Sequence, residues 1–156
     1  MEEKLKPILE RYRSKCIEAV RNKQEQAPVH EEFAAAFEIK VRNEIIPALH
    51  YVGTIVKTYG HKTVIKEEKN EIGGRGPRIT LELTPSGLLA DETLRPPFLS
   101  YIANKQNNKV IIYIYRINLV SLLVKTSKNE RSLDMIAEKS IENDIYEFVK
   151  AVLSFD

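Results

Sequence analysis

The chain has 156 residues, of which 43% are hydrophobic and 29% are charged. This composition is typical of one globular domain with one core, and it excludes collagen-like, mucin-like and wholly disordered chains. The 24 basic and 22 acidic residues leave a formal net charge of +2, which is too balanced to indicate nucleic acid or a membrane as the partner.

The chain begins with two predicted helices. The first covers residues 2–25, and its apolar side chains recur at the spacing of one helical face: Leu5, Ile8, Leu9, Tyr12, Cys16, Ala19 and Val20. A short break is expected at residues 26–28, because Pro28 suits the first turn of a new helix. The second helix carries a long apolar stripe that ends at Gly60: Phe33, Phe37, Val41, Ile45, Leu49, Val52, Val56 and Tyr59. Pro47 lies inside this helix and predicts a kink or a break near residues 43–46.

After Gly60 the apolar period changes to two, which predicts strands. Ile79, Leu81 and Leu83 alternate with polar residues, and residues 69–77 form a Gly-rich hairpin loop before them. Residues 104–109 are rich in turn formers and predict a hairpin into the clearest strand, VIIYIYR at 110–116. A further strand follows at SLLVKTS, and Ser140 is expected to cap a last helix.

These elements predict an α+β fold in a single domain of residues 1–156. It consists of an N-terminal helical hairpin or arm at 1–60, an antiparallel meander of about five strands at 61–139, and a C-terminal helix at 140–156 that packs on the sheet.

The strand at 110–115 is apolar on both faces, so both faces need cover. The three predicted helices are too few for this, because the first two also pair with each other. We therefore expect a homo-oligomer or a larger protein partner. The residues expected at the interface are Tyr113, Tyr115, Ile111, Phe33 and Phe37.

Four segments carry a resemblance to other proteins: residues 33–68, PRITLEL, PPFLSYIA and IENDIYEFVKAVL. Their F-x3-F helix, the Ile46-Pro47-Ala48 step and the Gly60-His61 helix exit resemble a loose group of uncharacterised small bacterial α+β proteins. The resemblance implies a bacterial α+β domain and carries no activity or site.

No catalytic or metal-binding motif is present, so we expect neither an enzyme nor a cofactor. His30, His50 and His61 lack metal-ligand spacing. Cys16 lies on the first helical stripe, where a buried thiol is inert. The GGRGPR segment lacks the ending of a phosphate-binding P-loop.

Residues 93–129 contain no acidic side chain and are basic, and they also carry aromatic side chains. Such a sheet suits single-stranded nucleic acid, which needs stacking and phosphate neutralisation. The residues expected to bind it are Arg116, Lys109, Lys125, Arg95 and Tyr101. The period of two places Arg116 on the face opposite to Tyr113 and Tyr115, and this conflict ranks nucleic-acid binding second.

The N-terminus is charged and has no signal-peptide run, and Val110 to Tyr115 is the longest apolar run, well short of the ~20 residues of a membrane helix. With a single cysteine, a reducing compartment is expected. The sequence therefore predicts a non-catalytic protein-interaction or assembly module of a bacterial cytoplasmic system, away from the membrane. The alternative is a domain that binds single-stranded nucleic acid.

Overall fold

The computed structural model describes residues 2–69, 76–87, 95–118 and 121–154, and it describes residues 22–30 by their backbone only. Most of the Gly-rich loop predicted at residues 69–77 lies outside these ranges, as does the side chain of His30. In chain order the elements are α1 (Glu2–Lys40), a π-helical turn (Val41–Ile45), α2 (Ile46–Thr58), β1 (Lys62–Glu68), β2 (Arg78–Thr84), β3 (Phe98–Asn104), β4 (Lys109–Ile117), β5 (Val124–Ser132), a 3-10 turn (Leu133–Met135) and α3 (Glu138–Leu153).

The α+β class is confirmed. The five strands form one antiparallel sheet in the order β1-β2-β3-β4-β5, so every strand pairs with its neighbour in sequence. The hairpin predicted at residues 104–109 joins β3 to β4, and Asn108 takes a positive φ of 54° in its turn. Short connections of this kind produce a meander because they cannot hold a crossover helix.

The predicted pairing of two N-terminal helices is wrong. The backbone is helical without a turn from Glu2 to Thr58, and Pro28 lies inside α1. The two apolar stripes share one seven-residue register, with Leu5 and Tyr12 in the register of Phe33, and Leu9 and Cys16 in that of Phe37, although polar residues interrupt it at positions 23, 26 and 30. One uninterrupted helix keeps this register, which a hairpin would divide.

The irregularity predicted from Pro47 takes the form of a π-helical turn. The N–H of Ile46 donates to the carbonyl of Val41, five residues earlier, and Pro47 then occupies the first turn of α2, where its missing N–H costs little. The helix therefore passes Pro47 without a break. It ends as expected, with Gly60 in the left-handed region at φ 88°.

The core lies between one face of the sheet and the helices. Ile79, Leu81, Leu99 and Ile112 face Phe37, Ile45 and Leu49 of the N-terminal helix and Ile141, Ile145 and Phe148 of α3. Ser140 differs from its predicted role, because α3 already begins at Glu138. Its Oγ instead accepts a hydrogen bond from the N–H of Ala137 at 2.9 Å. Across the ranges given above, no helix combines the length and the apolar character that crossing a bilayer demands.

Candidate interaction surfaces

The first half of α1 projects from the domain. Every side chain of residues 2–21, here called the arm, is exposed, including Leu9 at 63% and Tyr12 at 71%. The buried core begins only at Phe33. Cys16 is exposed as well, contrary to the expectation of a buried thiol. The arm therefore presents an apolar stripe that the described part of its own domain leaves uncovered.

Basic side chains border this stripe on both sides. At about 100° per residue, Arg11 and Lys15 fall along one edge of the stripe, and Lys6 and Arg13 fall along the other. The acidic residues Glu3, Glu10 and Glu18 lie on the back of the helix. The arm is thus a basic amphipathic helix, although the whole chain is nearly neutral.

A groove of about 820 Å³ lies between α2 and α3. Its floor is apolar, and Tyr51, Ile55 and Tyr146 remain exposed in it. Among the described residues, each charged side chain that lines the groove is a carboxylate: Glu44, Glu138 and Glu142. Lys40 pairs with Glu44 at 3.2 Å, so Glu138 and Glu142 give the groove its acidic rim.

Sequence reasoning missed this groove. The stripe of the second helix explained Leu49, Val52 and Val56, which pack in the core or against it, although Val52 and Val56 also line the groove. Tyr51 and Ile55 form a second apolar row on α2, with a spacing of four residues. That row is the signal for the groove in the sequence, because a helix that packs on one side only needs a single apolar row.

The predicted interface residues fall in three environments. Phe33 and Phe37 pack in the core of their own chain, and Ile111 is 2% exposed on the opposite face of the sheet, so these three are not free for an interface. Tyr113 and Tyr115 are half-buried, with ring centroids 5.7 and 5.3 Å from that of Phe98. Phe33 and Phe37 are buried because α1 enters the core at these residues.

The predicted nucleic-acid residues do not converge. Arg116 pairs in register with Lys125 on the helix side of the sheet, beside the end of α3. Lys109 lies on the other face, in line with Tyr113. Arg95 is also near the tyrosines, with its guanidinium carbon 4.3 Å from the centroid of the Phe98 ring. The period of two separates these groups, as the sequence predicted.

Tyr101 cannot stack on a base, because it is fully buried beneath α3. Its hydroxyl donates to Oδ2 of Asp144 at 2.8 Å, and Arg131 donates to both oxygens of the same carboxylate at 2.8 and 2.7 Å. Burial, and after it the charge of Asp144, raises the pKa of Tyr101 above its ordinary value. The hydrogen bonds that Arg131 donates to Asp144 raise the pKa of its guanidinium, which stays charged. This cluster ties α3 to β3 and β5.

The described histidines form no site. His50 is exposed, and Nδ1 of His61 accepts a hydrogen bond from the N–H of Ser86 at 2.9 Å. Within the described ranges, no three His, Cys, Asp or Glu side chains are grouped as metal ligands would be. Comparison of the chain with protein-family models, with curated proteins and with solved structures found no match.

Proposed function

We propose that this protein is a non-catalytic assembly module that associates with further copies of itself through its arm. The observation that carries this proposal is the fully exposed apolar stripe of residues 2–21. Most of the stability of a protein helix comes from the packing of its apolar face, and the apolar face of the arm packs on nothing in the described part of its own chain. A partner that covers the stripe stabilises both the helix and the contact.

The size of the stripe is sufficient for association. Leu5, Ile8, Leu9 and Tyr12 are 47–71% exposed, so burial of the area that remains exposed contributes about 1–2 kcal/mol for each of them. Together they reach the lower part of the 4–15 kcal/mol that association is estimated to cost in lost translational and rotational freedom. The basic edges of the stripe keep the free arm hydrated until it binds.

Replacement of Leu9 by Glu tests this proposal. Leu9 is 63% exposed, so Leu9→Glu leaves the core intact and places a charge in the middle of the stripe. Sedimentation velocity at about 50 μM, a concentration at which micromolar complexes are mostly assembled, should show an oligomer for the natural chain. The Leu9→Glu variant should sediment as the 17.9 kDa monomer.

Ser14→Glu is the matched control, because Ser14 lies on the back of the same helix and its Oγ donates to the carbonyl of Glu10. This variant should remain oligomeric. A natural chain that sediments as a monomer at every concentration would contradict the proposal.

A second candidate function, binding of single-stranded nucleic acid, is supported by one cluster. Phe98, Tyr113 and Tyr115 lie together on the sheet face away from the helices, with Arg95 over the Phe98 ring. Lys109 and Lys128 lie on the same face, since Lys128 pairs in register with Tyr113. Rings beside cations suit stacked bases and their phosphates.

Fluorescence anisotropy with a labelled single-stranded oligonucleotide tests this second function. Binding should weaken steeply with added salt, and Lys128→Ala should reduce the salt slope by about one. Lys125→Ala, on the helix side of the sheet, is the control and should leave the slope unchanged. Absence of binding at low salt would exclude this function.

A further inference from the structure

We propose that the groove between α2 and α3 receives the arm of a second copy of this chain. The inference rests on the proposed self-association and specifies its contact. It places the basic arm of one copy in the acidic groove of another, so that each of these exposed surfaces covers the other.

The two surfaces match in length. The groove runs from Asn43 in the π-helical turn to Val56 in α2, which is about 20 Å at the helical rise of 1.5 Å per residue. The apolar stripe of the arm runs from Leu5 to Val20, which is about 22 Å. A helix laid along the groove would contact both α2 and α3, completing a layer of three helices.

The two surfaces also match in charge. The groove has an apolar floor with Glu138 and Glu142 at its rim, and both carboxylates are exposed. The arm has an apolar stripe with Arg11, Lys15, Lys6 and Arg13 at its edges. When the stripe lies on the floor, the basic edge that faces α3 reaches the level of these carboxylates. Charge pairs at the rim of an interface favour one orientation of the partners.

The arm that fills the groove must come from another copy. Arg21, at the end of the arm, is joined to Asn43, at the start of the groove, by unbroken helix. This connection is about 33 Å long and holds the arm of the same chain away from its own groove. Only a break in the helix would allow the arm to fold back.

The test combines groove and arm variants in the full-length chain. Tyr51→Asp places a charge on the apolar floor and should raise the Kd of self-association at least about tenfold. Tyr59→Asp is its control, because Tyr59 is 76% exposed and lies outside the groove. That variant should keep the natural Kd.

Charge reversal identifies the partner surface. Glu142→Lys at the rim should raise the Kd about fivefold, as expected when an exposed attraction becomes a repulsion. Glu147→Lys makes the same change on an exposed face of α3 outside the groove and should have no effect. Two double variants combine Glu142→Lys with a reversal on one edge of the arm, either Lys15→Glu or Arg13→Glu. Only one edge can face Glu142, so one of the two double variants should recover the natural affinity.

The outcomes separate this inference from the proposed function. If Leu9→Glu dissociates the oligomer while Tyr51→Asp and Glu142→Lys leave the Kd unchanged, the arm binds elsewhere, and the groove assignment is overturned although self-association stands. Failure of both combinations to restore Glu142→Lys also overturns it. A monomeric natural chain removes both proposals.

Discussion

At the scale of single residues, Asp144 is a buried carboxylate held by two side chains from other elements. Its carboxylate is 6% exposed and accepts three hydrogen bonds from Tyr101 and Arg131. A buried carboxylate without such partners would cost several kcal/mol. The cluster therefore stabilises one arrangement, in which α3 sits over β3 and β5 with its groove face turned outward.

Tyr101 gives this cluster a pH dependence. Burial raises the pKa of its phenol in the folded state, whereas in the unfolded state the phenol titrates near its ordinary pKa of about 10. Above pH 10 the unfolded state therefore binds fewer protons than the folded state, and the free energy of unfolding falls with rising pH by up to about 1.4 kcal/mol per unit. Urea unfolding at pH 9 and pH 11 measures this loss.

Tyr101→Phe should lower the stability at pH 9 by about 1–2 kcal/mol, because Asp144 loses a donor. It should also reduce the further loss between pH 9 and pH 11, since Phe has no proton to release. An unchanged loss over that range in the variant would show that other groups cause it.

Sequence patterns predict the face of the sheet on which a residue lies better than they predict the residue with which it forms a contact. The alternation in β3 is compatible with Tyr101 on either a solvent-exposed or a buried face. Its buried hydroxyl depends on Asp144, a residue 43 positions later. No local period contains that pairing. The separation of Arg116 from Tyr113 was predictable, because it depends on neighbouring positions of one strand.

At the scale of elements, the contact between α2 and β1 depends on a glycine. A Cβ at Gly53 would lie 2.7 Å from Oγ1 of Thr63, which is too close. Gly53→Ala gains about 1 kcal/mol of helix propensity but loses about 1–3 kcal/mol to the overpacking. We expect a net loss of about 1 kcal/mol in the free energy of unfolding.

A double-mutant cycle isolates this contact. Thr63→Ala removes the obstructing oxygen, so Gly53→Ala should become stabilising in that background, with a coupling of at least about 1 kcal/mol measured by urea unfolding. Additive effects of the two substitutions would show that Thr63 moves aside without cost.

The element boundaries show why strands were easier to predict than the N-terminal helices. β2 alternates apolar and polar residues, and β4 is a short run of β-branched and aromatic residues, so each strand carries its signal within itself. The helical hairpin was wrong because Pro28 suits both the start of a helix and, at some cost, its interior. The π turn at Val41–Ile45 was predictable only as an irregularity near Pro47.

At the scale of the whole molecule, the core and the surface proposed for assembly occupy different parts of one helix. Among the side chains that the structure describes, the buried ones of α1 lie at Phe33 and beyond, whereas those of residues 2–21 are exposed. Deletion of residues 2–21 should therefore leave the domain folded, with a free energy of unfolding within about 0.5 kcal/mol of that of the full chain at high dilution.

The dependence of stability on protein concentration distinguishes the full-length chain from the chain that lacks residues 2–21. Because mass action favours the associated state, a tenfold rise in concentration should stabilise a full-length chain that dimerises by about 1.4 kcal/mol per dimer. The deleted chain should show no such shift, whereas full-length Ser14→Glu, altered only on the back of the arm, should keep it. Urea unfolding at about 2 and about 20 μM measures the free energy of unfolding of the full-length chain and of the deleted chain across this tenfold step. A deleted chain that is destabilised even at high dilution would place the arm in its own domain's core and contradict its role in assembly.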